Sequence, residues 1–251
     1  MRELDYEQLR RIVAGEPRSL VFATVSGAHL YGFPSRDSDV DLRGAHVAPL
    51  ADVVGLRTAP ETTTLDWIDD GAEIDLVTHD VAKFFRLLLR RNGYVLEQLL
   101  SPLVVTTSDA HAELVALAPR LVTVHHAHHY FGFAQTQQRL FTKTGELKPL
   151  LYTMRVLLTG THLMRSGVVE AHLPTLLALV RGPAYVPELM EAKADGEHDR
   201  LDPSVVSADA VQADVAALTA DLESAQAASR LRDTPGGFED LHRILVDLRT
   251  K

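Results

Sequence analysis

The run Gly27-Ala28-His29-Leu30-Tyr31-Gly32-Phe33-Pro34-Ser35-Arg36-Asp37-Ser38-Asp39-Val40-Asp41 constrains this chain more than any other part of it. It follows an apolar, β-prone run, Ser19–Val25, and leads into a second one, Val40–Val47. The local reading is strand, glycine turn, short helix, strand. Residues two apart on a strand point the same way, so Asp39 and Asp41 present their carboxylates from one face. Like charges held that close repel unless a cation or a proton sits between them. A carboxylate pair facing a glycine-rich turn therefore points to a hard, oxygen-liking metal such as magnesium, together with a phosphate-bearing ligand. Taken singly, an Asp-x-Asp is common on solvated strand edges and a glycine turn is most often only a turn. The order and spacing of the parts together carry the inference.

The pattern Gly-x-x-x-Tyr-Gly, a short polar linker and then Ser38-Asp39-Val40-Asp41-Leu42-Arg43-Gly44 resembles the signature of the DNA polymerase β-like nucleotidyltransferase superfamily. Within it, the chain is most similar to the RNA-repair-pathway DNA polymerase beta family. That family's members read Gly-Ser-x-x-Tyr-Gly before Ser-Asp-x-Asp and continue with x-Arg-Gly. This sequence has Ala28 where the family usually has Ser, which removes one hydroxyl donor from the turn. Loss of one hydrogen bond to a charged group costs roughly 1.5–3 kcal/mol, enough to weaken a nucleotide site without abolishing it. Ser26 or Ser38 would stand in for it, although Ser38 reads equally well as a cap of the turn.

At 251 residues the chain can hold one large domain or two modest ones around a proper core. With 46% hydrophobic and 24% charged residues it has the composition of an ordinary globular protein. The absence of cysteine excludes disulfides and thiolate metal sites. No stretch has the make-up of a secretory leader or the length to cross a bilayer, so a cytoplasmic location and no membrane partner are expected. A net charge of −9 argues against long-range attraction of the whole molecule to a nucleic-acid backbone, although a local basic groove is compatible with it.

Residues 3–15 place Leu4, Leu9, Ile12 and Val13 at helical spacing, and Gly15-Glu16-Pro17 stops the run. The segment 49–70 reads as a loop, with Asp66, Asp69 and Asp70 as a solvated acidic turn. A third strand is expected over 72–78, where Glu73 and Asp75 share one face and Ile74 and Leu76 the other. The superfamily completes its catalytic set with a carboxylate on an adjacent strand; the resemblance places it at Asp75, with Glu73 second, against the plainer reading of a surface strand with acids outward. Asp80 caps a helix over 81–91 that Asn92-Gly93 stops. The stretch from Lys83 to Pro102 is similar to the same family's leucine-rich continuation, so the resemblance covers roughly the first hundred residues. Beyond it the pattern is helical: 110–118, 121–142, 149–166, 172–180, 187–194, 208–231 and 238–248, with connectors at 196–203 and 233–237.

The expected fold is α+β: a polymerase β-type nucleotidyltransferase core, residues 1–105, followed by an α-helical domain, residues 106–251, with the active site in a cleft between them. The resemblance implies transfer of a nucleoside monophosphate from a nucleoside triphosphate such as ATP to an acceptor hydroxyl, with release of pyrophosphate. Asp39, Asp41 and Asp75 would bind Mg2+ or Mn2+ and carry the chemistry. Gly27, Ala28, Tyr31, Gly32 and Ser38 would hold the nucleotide, and Lys148 and Arg155 look like the family's downstream Lys and Arg pair. Each of those cations reads equally well as a solvated helix residue. The acceptor, whether an RNA end, a protein or a small molecule, and the oligomeric state are not legible. Two rivals stand beside the enzyme: a nucleotide-binding regulator that kept the fold and lost turnover, and a phosphohydrolase whose metal is held by His125 and His129, four apart on a helix. No carboxylate at ligand spacing accompanies those histidines, and titratable surface residues at a helix start explain them more simply.

Overall fold

The computed structural model describes residues 4–56, 59–194, 196 and 199–250. Asp5 caps α1 (Tyr6–Ala14), its carboxylate accepting from the Glu7 and Gln8 backbone N–H groups. The chain continues through β1 (Ser19–Val25), α2 (Gly27–Tyr31) and β2 (Val40–Val47). It goes on through α3 (Leu50–Val54), β3 (Thr62–Asp69), β4 (Ala72–Asp80), α4 (Val81–Leu88), α5 (Gly93–Leu100), β5 (Val104–Thr106) and α6 (Asp109–Leu121). Then come α7 (Ala127–Thr144), α8 (Leu147–Ser166), α9 (Leu173–Leu179), α10 (Val186–Lys193), α11 (Ala208–Ala227) and α12 (Phe238–Thr250). No helix among the described residues is long and apolar enough to cross a membrane.

The strands form one mixed sheet in the order β3-β4-β2-β1-β5. β2 pairs parallel to β4, and the other neighbours are antiparallel. One face buries Leu9 and Val13 of α1 against Ala23, Val25, Leu42, Ile74 and Leu76. On the other face Phe22 stacks on His111 and meets the Phe84 ring edge-on, and Thr24 donates to the Gln98 carbonyl. Alternation along β4 keeps Ala72, Ile74, Leu76, Thr78 and Asp80 buried and turns Glu73 and Asp75 to the opposite face.

Three expectations need correction. Segment 49–70 is not a loop: it contains α3 and the edge strand β3, and Asp66 and Asp69 lie within that strand. No position of β3 is fully buried, so it lacks the closed apolar face that marks a strand, yet the Asp70-Gly71 hairpin turn that follows it is a sequence signal. Asn92 does not stop the preceding helix, which ends at Leu88; its side chain caps α5 by accepting from Tyr94 and Val95. β5 was also not expected. Within the expected connector 196–203, Glu197 and His198 lie outside the described residues, as does Glu3 of the first helical run.

The chain falls into two compact units whose limits differ from a division at residue 105. The sheet unit takes in residues 4–30, 39–121 and 234–250, and so includes α12. Arg249 of α12 chelates both Asp80 carboxylate oxygens at 2.6 Å and donates to the Ala48 carbonyl, while Asp80 also accepts from the Ala48 and Ala82 N–H groups. The helical unit takes in residues 31–38 and 122–233 and is built around α8, most of whose residues are buried.

Candidate active site

Parallel pairing puts Asp41 of β2 beside Asp75 of β4. The two side chains leave the same face of the sheet, and Asp39 stands two residues ahead of Asp41. Each of the three carboxylates offers one oxygen within 4.8 Å of the others, and all three side chains are half-buried. Alternation along β2 adds Arg43 to that face. Its guanidinium straps the pair, Nη2 donating to Asp41 Oδ1 and, at 2.6 Å, to Asp75 Oδ2. Nη1 donates to the Leu42 and Asp75 carbonyls, and Nε donates to the Tyr94 hydroxyl at 3.0 Å. Arg43 is only 8% exposed. Burial works against its charge, but Tyr94, Asp41 and Asp75 outweigh burial and hold its pKa above the ordinary guanidinium range.

One oxygen of the cluster is left over. Asp75 Oδ1 is buried and accepts no hydrogen bond from a described residue. A buried carboxylate oxygen without a donor is costly, and an all-oxygen set of three carboxylates is the donor chemistry that magnesium or manganese takes. The residues therefore fit a divalent cation. Among the described residues no other group of His, Asp or Glu has this convergence.

Gly27 abuts the cluster. Its φ is +61°, and a Cβ there would stand 1.7 Å from Asp41 Oδ2, so only glycine lets the backbone come this close. Ser26 donates its N–H to the Asp41 carbonyl, and its buried hydroxyl has no partner among the described residues. Ala28 is buried at the start of α2.

The remaining expected residues lie in the helical unit. Tyr31 is buried, with the Arg155 guanidinium 3.7 Å from its ring centroid and Tyr152 edge-on to it. Arg155 is itself 2% exposed. Gly32 lies against the His172 ring. Ser38 and Ser35 hydrogen-bond each other at 2.8 Å, and both accept from Lys193 Nζ, at 3.2 and 3.0 Å. Lys193 is fully buried at the end of α10. Lys148 is half-buried in the first turn of α8. Sequence reading passed over Arg43, Tyr94 and Lys193 as members of these clusters. For Arg43 the Asp-x-Asp-x-Arg alternation was a usable signal; for Lys193, far along the chain from the serines it serves, there was none.

Among the described residues no histidine joins a group of three or more metal-ligating side chains. His125 bonds Asp233, His128 bonds Gln226, and His126 is buried with Nδ1 3.1 Å from the Thr123 backbone N and hydroxyl. His129 is depressed to about 4 by burial and by Arg155.

A mixed sheet with two aspartates opening one strand and a third on its parallel neighbour defines a nucleotidyltransferase-like protein of the α+β class. The chain belongs to the RNA repair pathway DNA polymerase beta family (RlaP), whose model matches residues 1–247. Uncharacterized protein MJ0002 of Methanocaldococcus jannaschii is 32% identical over 151 residues, which is 59% of this chain and 61% of that protein. This match thus spans about three fifths of that relative's length. Uncharacterized protein YcgL of Bacillus subtilis is 26% identical over 212 residues, 78% of each chain. A nucleotidyltransferase-like protein from Exiguobacterium sibiricum has a solved structure that aligns over 88% of this chain and 74% of that one, at 15% identity and a TM-score of 0.36.

Proposed function

We propose that the protein is a metal-dependent nucleotidyltransferase that moves a nucleoside monophosphate from a nucleoside triphosphate to an acceptor hydroxyl and releases pyrophosphate. The observation that carries this reading is the convergence of Asp39, Asp41 and Asp75 with one buried Asp75 oxygen left without a donor. These three carboxylates would hold Mg2+ or Mn2+, which supplies charge neutralisation at the attacking and leaving oxygens of an in-line displacement.

The chain's own groups divide the remaining work. Asp75 takes the proton of the acceptor hydroxyl as its oxygen bonds to the α-phosphorus, while the bond from that phosphorus to the bridging oxygen breaks and pyrophosphate leaves. Arg43, bonded to both Asp41 and Asp75, holds them at fixed spacing, so neither carboxylate has to reorganise. The backbone at Gly27 and Ala28, drawn close to Asp41, is the nearest donor surface for the triphosphate. Tyr31, Gly32, Ser38, Lys148 and Arg155 complete the proposed nucleotide-binding set, with Tyr31 and Arg155 acting as a stacked pair. Candidate acceptors are an RNA end, a protein hydroxyl or a small alcohol, and ATP is the first donor to try.

A second reading, a nucleotide-binding regulator without turnover, is favoured by Ala28. One experiment separates them: incubation with labelled triphosphates, magnesium or manganese and the three acceptor classes. Label transfer that disappears in Asp39→Ala supports the transferase. Calorimetric binding of triphosphate with no transfer to any acceptor supports the regulator and overturns the first reading.

A further inference from the structure

The helical unit contains a cavity of about 440 Å3 that the proposed chemistry does not use. Its volume is within the range of small-molecule sites. The floor is apolar, made by Leu150, Val211 and Val215 from α8 and α11, and Phe141 of α7 forms part of the wall. Three longer polar residues also line it, Gln138, Gln212 and Arg200, beside Thr142, Thr144 and Thr153. None of the three longer ones makes a side-chain hydrogen bond or ion pair with a described residue. Among the described residues no carboxylate lines the cavity, and Arg200 is the one charged group there.

Arg200 is held in place by its backbone. The segment around it pairs with the turn between α7 and α8: Leu147 N–H donates to the Asp199 carbonyl at 2.7 Å, and Leu201 N–H donates to the Gly145 carbonyl at 2.9 Å. Arg200 thus lines the cavity from a hydrogen-bonded main chain, a few side-chain torsions from a ligand there. An arginine without a carboxylate partner recognises an anion, and two carboxamides, each with donor and acceptor ends, read the edge of a polar ring. An aromatic wall and an aliphatic floor take that ring's faces.

We propose that this cavity binds an organic anion of mononucleotide size, with its anionic group on Arg200 and a hydrogen-bonding ring between Gln138 and Gln212. The site is distinct from the acidic cluster, and its existence does not depend on the transferase reading.

Isothermal titration calorimetry with AMP as the probe, and adenosine and inorganic phosphate as controls, tests it on the full chain. AMP is expected to bind saturably to the unmodified protein and equally well to Asp39→Asn, which disables the acidic cluster. Arg200→Glu should weaken AMP by about tenfold or more and leave the weaker adenosine binding unchanged, since it removes a charge-assisted bond. Gln212→Ala, an exposed change on α11, should weaken AMP and adenosine alike. Both variants alter exposed side chains, and a circular dichroism spectrum matching the parent shows that each is folded. AMP binding that is absent, or lost in Asp39→Asn but intact in Arg200→Glu, overturns the proposal. So does inorganic phosphate competing as strongly as AMP, because the apolar body would then contribute nothing.

Discussion

Arg43 decides the electrostatics of the acidic cluster. With its charge nearly buried between Asp41 and Asp75, it offsets the repulsion that would otherwise drive one carboxylate to protonate. Replacing it with Gln leaves two half-buried carboxylates without their strap, and breaking such a pair costs on the order of 3–5 kcal/mol. The expected outcome for Arg43→Gln is a urea midpoint well below the parent's, partly restored by millimolar magnesium. A divalent cation would then do part of the guanidinium's work. If magnesium leaves the midpoints of variant and parent both unmoved, the cluster does not hold the metal. Gly27 makes the complementary case in the backbone. Gly27→Ala places a methyl inside the Asp41 carboxylate and asks an L residue to keep φ near +61°. Strain of this kind costs of order 1–3 kcal/mol, and label transfer should fall by at least about a hundredfold, a loss of about 2.7 kcal/mol at the transition state. Retention of full transfer in Gly27→Ala would show that the turn is remote from the reacting atoms.

Among the elements, α12 is the one whose attachment the chain order hides. It closes onto the sheet unit through Arg249 and Asp80, both almost fully buried. Burial raises the Asp80 pKa, but Arg249 and the Ala82 and Ala48 N–H groups outweigh it and hold the carboxyl below its ordinary value of 3.8. A carboxyl depressed on folding stabilises the fold above its unfolded pKa, and the gain is lost as pH falls below about 4. Arg249→Ala is expected to cost on the order of 3–5 kcal/mol near neutral pH, measured by urea unfolding, and much less once Asp80 is protonated. An equal cost at both pH values would mean that the helix is held by packing alone. The same elements show what could be read beforehand. The strand, turn and strand around Asp39 and Asp41 were legible because apolar runs, glycines and acids coincide over a short stretch. Asp75 needed a family resemblance to be chosen over Glu73, since alternation alone places both on one face. β3 was illegible because none of its positions is fully buried: Leu65 and Ile68 are exposed and Trp67 packs only partly against the core, so no clear period marks the strand. Lys193 could not be foreseen, because the serines that receive its hydrogen bonds lie far from it in the chain.

At the scale of the whole molecule, each compact unit carries a buried histidine that resists protonation. His46, in the sheet unit, is fully buried with Nδ1 on the Thr78 hydroxyl and Nε2 without a partner. Burial, reinforced by Arg18, lowers its pKa to about 4. His126, in the helical unit, is 1% exposed and is also lowered to about 4, by burial against the opposing bond to Thr123. In the unfolded chain both titrate near 6.5. Between those values the unfolded state binds more protons than the folded one, so stability rises with pH across this window. Full stability is present above about 6.5, and as pH falls towards 4 each histidine withdraws up to about 3 kcal/mol. Two such losses rival the 5–15 kcal/mol that holds a typical domain together. Urea midpoints measured from pH 7 down to about pH 5.5, where ordinary carboxylates stay ionised, should therefore decline. His46→Asn and His126→Asn, which keep a polar atom near the Nδ1 position and cannot gain a proton, should each flatten the decline, and the double variant should flatten it further, leaving the share of His129 and the other histidines lowered by burial. If the double variant loses stability with acid as steeply as the parent, the sensitivity lies in other groups and the two imidazoles are not its source.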